Sequence, residues 1–423
     1  MAASRLVLLS KKMIKPSSPT PISHRIHKLS LMDQMGTHSY VPFSFFYPKQ
    51  DAASSLEPTK VSRILEKSLS KVLTSYYPLA GRVRDNSFVE CNDMGVDFSQ
   101  VQIDCPMSRI FDVPRAEMDN LIFPKDPWIP STDSLVVAQL NHFECGGVVL
   151  STCISHKVAD GYSIAKFLRD WAIVARDSGE KPSPLFNGAS ILKPTNNSST
   201  QVVDPSLYKT TSKRYHFSAS KLKALKAMIS ADSGNQIVPT AVEAVTALLF
   251  KSINARNFKP SMLMQTVNLR GKNNDALLPA DLVGNVIFPF VVSAANEDEL
   301  NLQRLVSELR EGKEKIHNTL ECIKSEELLC SKVCEIAREI NKRTTRDDFS
   351  MYRFTSVRKF PLNDIDFGWG RPRRADFATA PINLIFLMDD QSGDGVEVLL
   401  NLGEEEMSTF QSNDELLQFA SPS

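Results

Sequence analysis

The stretch Ser155-His156-Lys157-Val158-Ala159-Asp160-Gly161 sets a histidine and an aspartate four residues apart, between the apolar run VVLSTCI and the amphipathic segment YSIAKFLRDW. If Val148 to Ser155 is a strand, His156 stands at its C-terminal end and projects into the crevice outside a sheet, where ligands bind in α/β folds. An imidazole exchanges protons near neutrality and can act as a general base there. By itself H-x-x-x-D is common by chance. An aspartate before a helix is also an ordinary N-cap, and one four residues beyond a turn at His156 can point away from the ring.

What the chain lacks narrows the chemistry. There is no G-x-S-x-G nucleophile elbow, no H-E-x-x-H, no Walker A and no G-x-G-x-x-G. Cys153 lies three residues before His156 and faces the opposite side of a continuous strand, which disfavours a local Cys–His pair. What remains is a histidine that deprotonates the substrate's own nucleophile, without a covalent enzyme intermediate. The second unusual stretch is DIDFGWGRP, Asp364 to Pro372, where Gly368 and Gly370 bracket Trp369 and free the backbone for conformations closed to other residues. Its plain reading is a tight turn with a buried aromatic plug, and Asp366 is a ready partner for a buried arginine.

The elements that would position these residues are α/β in both halves. VSRILEKSLSKVLTSYY has helical spacing and stops at Pro78 and Gly81. SLVVAQLNHF and GGVVLSTCIS form a hairpin-like pair around Glu144–Gly147. The helix after His156 shows Ile164, Phe167, Leu168 and Trp171 on one face. In the second half Thr240 and Glu243 have capping-box spacing, MLMQTVNLR and NVIFPFVVSA read as strands, and LIFLMDDQSGDGVEVLLNL reads as a hairpin. EEEMSTFQSNDELLQF looks helical. The Pro-, Ser- and Asn-rich stretch from Gly179 to Leu207 is long for a loop and reads as an inter-domain crossover. The expected division is an N-terminal domain over 1–185, a linker over 186–207 and a C-terminal domain over 208–423 that carries DFGWG.

A chain of 423 residues suits two domains of ordinary size, and Lys+Arg and Asp+Glu balance at 49 each. That balance gives no global attraction to nucleic acid or to an anionic membrane. Seven cysteines without a C-x-x-C pair read as free thiols, without metal-ligand spacing, in a reducing compartment. The apolar run in RLVLLS is too short for a signal-peptide core, and no run reaches the length of a membrane span. A soluble cytoplasmic protein is expected, and the sequons at Asn196 and Asn197 read as a polar loop.

Taken together, His156-x-x-x-Asp160 and Asp366-Phe367-Gly368-Trp369-Gly370 resemble the signature of the plant BAHD acyl-CoA-dependent acyltransferases. PSSPTP, LSLMDQ, YPLAGR at Tyr77–Arg82, VNLRGK at Val267–Lys272, GNVIFPF and SGDGVEV extend the resemblance along nearly the whole chain. It is nearest to the branch of vinorine synthase-like alkaloid acetyltransferases and acylsugar acyltransferases. The resemblance implies two similar chloramphenicol-acetyltransferase-like α/β domains, each a mixed sheet flanked by helices, with a solvent channel between them, in a monomer. It implies acyl-CoA as co-substrate, a small-molecule alcohol as acceptor, no metal and no bound cofactor. His156 becomes the base, Asp160 a structural residue paired with Arg270, and Asp366 a second site candidate away from the reaction centre. Gly368, Trp369 and Gly370 support it, with Trp369 a candidate for positioning the thioester carbonyl. One departure is Val357, where the family often carries tryptophan. Arg358, Lys359 and Arg371, with Arg353, Arg373 and Arg374 nearby, could meet CoA phosphates or form a solvated basic face. The rival functions are a non-catalytic binding member of the fold and a thioesterase-like hydrolase.

Overall fold

Strands covered on both faces take the centre of a sheet, and VVAQLNHF and VVLSTCIS do so here, buried along their whole length. A computed structural model of the chain describes residues 5–423 apart from 50–56, 125, 131, 196–209, 233–236, 257, 272–277, 322, 324 and 345–347. In chain order the strands are β1 (Leu6–Ile14), β2 (Ile26–Lys28), β3 (Tyr40–Tyr47), β4 (Arg82–Arg84), β5 (Phe88–Glu90), β6 (Val96–Ile103), β7 (Val136–Phe143) and β8 (Val148–Ser155). They continue with β9 (Thr210–Phe217), β10 (Ser261–Asn268), β11 (Ile287–Ala294), β12 (Ser350–Ser356), β13 (Arg374–Phe377), β14 (Leu384–Asp389), β15 (Val396–Gly403) and β16 (Ser421–Pro422). The first four helices are α1 (Leu31–Met35), α2 (Pro58–Ser75), α3 (Arg115–Ile122) and α4 (Gly161–Arg176).

The chain divides into two compact units. The first comprises Met1–Val203, Pro279–Val286 and Phe360–Ala378. Its main sheet has the order β1-β6-β7-β8-β3-β13, with β6 and β7 parallel and the other neighbours antiparallel. The helix predicted after His156 is α4, which buries Ile164, Phe167, Leu168 and Trp171. It packs on α2, where Trp171 Nε1 donates to Ser68 Oγ at 2.9 Å and Tyr76 Oη donates to Asp170 Oδ2 at 2.7 Å. Each of those apolar side chains contributes about 1.5–3 kcal/mol through burial. The opposite sheet face is covered by α3 and the turn before it, over a cluster that includes Val101, Ile103, Val137, Phe143 and Cys153. Cys153 is thus a core residue.

The second unit comprises Asp204–Leu278, Ile287–Lys359 and Thr379–Ser423. Its sheet has the order β11-β10-β12-β14-β15-β9-β16, mixed through the parallel pairs β10/β12 and β12/β14. The Thr240/Glu243 capping box starts the helix Ala241–Ile253, as its spacing predicts. The 392–395 turn joins β14 to β15 as an antiparallel hairpin. Both units are therefore mixed sheets with helices, the fold class expected. No helix among the described residues is long and apolar enough to cross a membrane.

Two segments depart from the expected division. The crossover expected over 186–207 falls partly outside the described residues. More importantly, DFGWG belongs to the first unit and not to a continuous C-terminal domain. The physical reason is β13, which pairs antiparallel with β3 through Arg374↔Phe46 to Phe377↔Phe43. Asp376, fully buried, anchors it by accepting from Arg115 Nη1 at 2.8 Å and from Arg374 Nη2 at 2.7 Å. Arg115 also donates to the Phe377 carbonyl and pairs with Asp119 at 3.2 Å.

Candidate active site around His156

β8 ends at Ser155, paired with Tyr40 of β3, and the chain turns immediately. The backbone N–H of His156 donates to the Ser39 carbonyl at 2.8 Å, which fixes where the ring leaves the strand. Asp160 caps α4 as predicted, with Oδ1 accepting from Ser163 N at 2.9 Å. Its Oδ2 accepts from Val286 N at 2.9 Å, and its own N–H donates to Gly284 O at 3.2 Å. The buried carboxylate thus faces α4 and the 284–286 turn, and serves as the frame of the histidine loop. Gly284 occupies φ +140°, where other side chains are strained.

That turn delivers Asn285 to the histidine. Asn285 Nδ2 donates to Asp33 Oδ1 at 3.0 Å and to the His156 carbonyl at 2.8 Å. Both partners are pure acceptors, so the amide orientation is forced. Asn285 Oδ1 then faces His156 Nδ1 at 3.0 Å. An amide oxygen only accepts, so Nδ1 carries the proton and Nε2 keeps its lone pair. The tautomer required of a general base acting through Nε2 is therefore set by the protein.

Asp33 is the base of this arrangement. It is buried and belongs to a capping box at the start of α1 with Ser30. Its oxygens accept from Ser30 N at 3.0 Å, Ser30 Oγ at 2.7 Å, Asn285 N at 2.6 Å and Asn285 Nδ2 at 3.0 Å. Four donors thus converge on this one buried carboxylate. Lys157, also buried, bridges the end of α1 by donating to Gln34 O at 2.9 Å and Gly36 O at 2.7 Å. Burial pulls its ammonium down to about 8, against a smaller upward pull from Asp33. Sequence reasoning passed over Asn285, Asp33 and Lys157. LSLMDQ and GNVIFPF were visible as motifs, but nothing in a linear pattern shows that Asn285 meets a histidine 129 positions away.

Two predictions arise here. Asp160→Ala removes a cap, about 0.5–2 kcal/mol, and leaves the buried Val286 N–H unpaired, about 1–3 kcal/mol. A loss of about 2–4 kcal/mol in chemical denaturation is expected, with the protein that remains folded still active; full stability with lost turnover would contradict the framing role. For Lys157, the folded chain releases its proton before the unfolded chain does. Between about pH 8 and about pH 10 the unfolded chain binds more protons, so stability from this group rises with pH. Below that window both states are protonated and the burial cost is fully present. The denaturation midpoint of native protein should rise relative to Lys157→Met between about pH 7.5 and about pH 9.5; a constant difference would show that this proton does not matter.

The DFGWG loop is built differently. Asp366 Oδ1 accepts from Gly368 N at 2.8 Å and Gly370 N at 2.9 Å, with the glycines at φ +109° and +100°. Phe367 and Trp369 stack at 5.6 Å, and Tyr47 meets both edge-on at 6.4 and 6.0 Å. Tyr47 Oη donates to Ile365 O at 2.8 Å, and Arg176 donates to the Asp366 carbonyl. The loop is the tight turn and aromatic plug of the plain reading. It also sits at the wrong end of β3 for chemistry at His156. Tyr47 pairs with Val148 while Tyr40 pairs with Ser155, so seven residues, about 23 Å, separate the two ends. In this placement Asp366, Gly368 and Gly370 hold a loop, and Trp369 is out of reach of a carbonyl beside His156.

In the second unit Arg270 is buried, with Nη1 donating to Asn268 Oδ1 at 3.0 Å. Among the basic residues considered for CoA, Arg358 holds Asp389 at 2.8 Å, and Arg371 holds Asp364 at 3.0 Å on the surface. Arg374 belongs to the Asp376 cluster. Lys359 is exposed, with its backbone at φ +63° and its N–H on Asp389 Oδ2 at 2.5 Å.

The family model described as "Transferase family" matches residues 5–417. Acylsugar acyltransferase 3 of Solanum lycopersicum is 40% identical over 100% of this chain and 99% of its own length. Akuammiline synthase 1 of Alstonia scholaris is 40% identical over 98% of this chain and 97% of its own. The crystal structure of vinorine synthase superposes with a TM-score of 0.84 at 30% identity, covering 99% of each chain. With these full-length matches and the signature residues in place, the chain belongs to the Transferase family, the acyl-CoA-dependent BAHD acyltransferases.

Proposed function

We propose that this acyltransferase moves a short or branched acyl group from coenzyme A to a hydroxyl of a plant specialised metabolite, an acylsugar or an alkaloid alcohol, in a ternary complex. The observation that carries the reading is the Asp33–Asn285–His156 chain, which holds the proton on Nδ1 and leaves the Nε2 lone pair to accept one. In the reaction Nε2 takes the proton of the acceptor hydroxyl as its oxygen bonds to the thioester carbonyl carbon. The tetrahedral intermediate then collapses, the C–S bond breaks, and the coenzyme A thiolate leaves with the proton returned from His156. Holding donor and acceptor together can supply about 7–11 kcal/mol of the barrier reduction, and base catalysis about 10²–10⁴-fold. For the phosphates of the donor we propose Lys359 rather than Arg358, whose guanidinium already holds Asp389.

The acceptor classes follow from the relatives' names, one an acylsugar acyltransferase and one an alkaloid synthase. The test is thiol release from acetyl- and branched acyl-CoAs with partly acylated sucroses or indole alkaloid alcohols added separately. Release stimulated by one class identifies the acceptor. Equal release with no acceptor would replace transfer by hydrolysis, and none with any donor would favour a binding role.

Asn285 gives a graded test of the same chemistry. A neutral imidazole released from Asn285 still populates the useful tautomer part of the time. Asn285→Ala should therefore lower kcat by less than about tenfold, far less than loss of the base itself. Equal effects of the two substitutions would mean that Asn285 does more than orient.

A further inference from the structure

The formal net charge of the chain is zero, but one face of the first unit is far from neutral. On α2, Lys60, Arg63, Lys67 and Lys71 are all exposed, at spacings of three and four that put them on one stripe. Glu66, Ser70 and Thr74 form the neighbouring row, and this row meets the β1 segment. Glu66 pairs with Lys12, Ser70 Oγ donates to Lys15 O, and Ser17 Oγ shares a hydrogen bond with Thr74 Oγ1. The basic stripe therefore runs beside β1, with Lys60 and Arg63 toward its Leu8–Ser10 end. From β1 and its flanks come Arg5, Lys11, Lys12 and Lys15, all exposed. Against these stand Glu57, Glu66 and Asp104, with Asp177 paired to Lys71 at 4.0 Å.

β1 is also an edge strand with unusually exposed apolar side chains. Leu6, Val7, Leu8 and Leu9 are 39%, 42%, 58% and 54% exposed. Leu6 and Leu8, opposite Ile103 and Val101, project on the sheet face of α3, and Val7, opposite Gln102, on the face of α2, so the edge carries exposed apolar side chains on both sides, with Lys11 and Lys12 likewise on opposite sides. An apolar edge flanked by cations can insert shallowly into a lipid interface while its charges meet anionic headgroups. A second copy pairing along the same edge fits less well. The register slips between Leu8 and Ser10, and Lys11 and Lys12 lie mid-strand, the devices that keep edges from pairing.

We infer that the β1 edge docks on anionic lipid bilayers, with Leu6–Leu9 entering the interface and the flanking cations of β1 and α2 held by headgroup charge. The test uses the full chain in flotation assays with phosphatidylcholine vesicles, with and without about a third phosphatidylserine, at about 0.1 M and about 0.5 M salt. Binding is expected to anionic vesicles alone and to disappear at high salt. At about fivefold per cation, the Lys60→Glu/Arg63→Glu/Lys67→Glu variant should bind about a hundredfold more weakly or less. Leu8→Ser/Leu9→Ser should weaken low-salt binding severalfold. Thermal melting and acyl transfer to a soluble acceptor check that each variant is folded; if the triple variant is not, Lys67→Glu alone should give about fivefold or more. Equal binding to neutral vesicles, no binding to either, or indifference to charge reversal overturns the inference. Concentration-dependent dimerisation abolished by the leucine substitutions, without vesicle binding, assigns the edge to a second copy instead.

Discussion

His156→Ala is expected to lower kcat for acyl transfer by about 10²–10⁴-fold, with the KM of donor and acceptor nearly unchanged. The substitution removes the proposed proton acceptor and leaves the contacts that order the loop. The backbone N–H to Ser39, the Asp160 cap and the Lys157 bridges do not involve the imidazole. Asn285 Oδ1, on a buried side chain, loses its Nδ1 partner, at a cost of about 1–3 kcal/mol. Melting within a few degrees of native protein is therefore expected, which separates loss of chemistry from loss of fold. Residual turnover should remain, because juxtaposition of the two substrates does not depend on the base. Steady-state kinetics with circular dichroism on the same samples checks this. A fall in KM-dependent terms alone would mean that His156 binds and does not catalyse.

The second large effect is on stability. Asp376→Ala should cost about 3–5 kcal/mol, the range for removing one partner of a buried ion pair. Asp376 is fully buried and neutralises Arg115 and Arg374 at once, and Arg115 is itself well shielded from water. Without the carboxylate Arg115 is left to Asp119 and the Phe377 carbonyl, the charge balance of the cluster is lost, and the four-residue β13 loses its anchor to β3. The loss should be read by chemical denaturation, and by hydrogen exchange at Arg374–Phe377, where protection should fall first. Arg115→Ala/Asp376→Ala together should cost clearly less than the two single substitutions summed. A single-substitution cost below about 1 kcal/mol would show that this cluster is no anchor.

How much of this was legible follows from the range of each interaction. Local patterns carried the hairpin of β7 and β8, α2, α4, the Thr240 cap and the β14/β15 turn, because spacing and turn chemistry act over a few residues. The Asp160 cap was legible for the same reason. β1 was not, since LVLLSKKMI is an edge strand exposed on both faces and shows no alternation. Nor was the reach of Phe360–Ala378 into the first unit, where four residues pair with a strand more than three hundred positions earlier. Of the site, the histidine was legible through its setting at a strand end. The residues that would orient it for the proposed base role, Asn285 and Asp33, were hidden because they come from the 284–286 turn and α1, both distant in sequence.

The most direct test of the central claim is a single-turnover experiment. Enzyme in excess is mixed with acyl-CoA, free coenzyme A is followed with time, and intact protein mass is recorded before and after acceptor is added. The account predicts no thiol release and no acyl adduct until acceptor arrives, then coenzyme A and ester in equal amounts, with neither formed at a comparable rate by His156→Ala. One equivalent of coenzyme A released without acceptor, with the matching acyl mass on the protein, would contradict direct transfer.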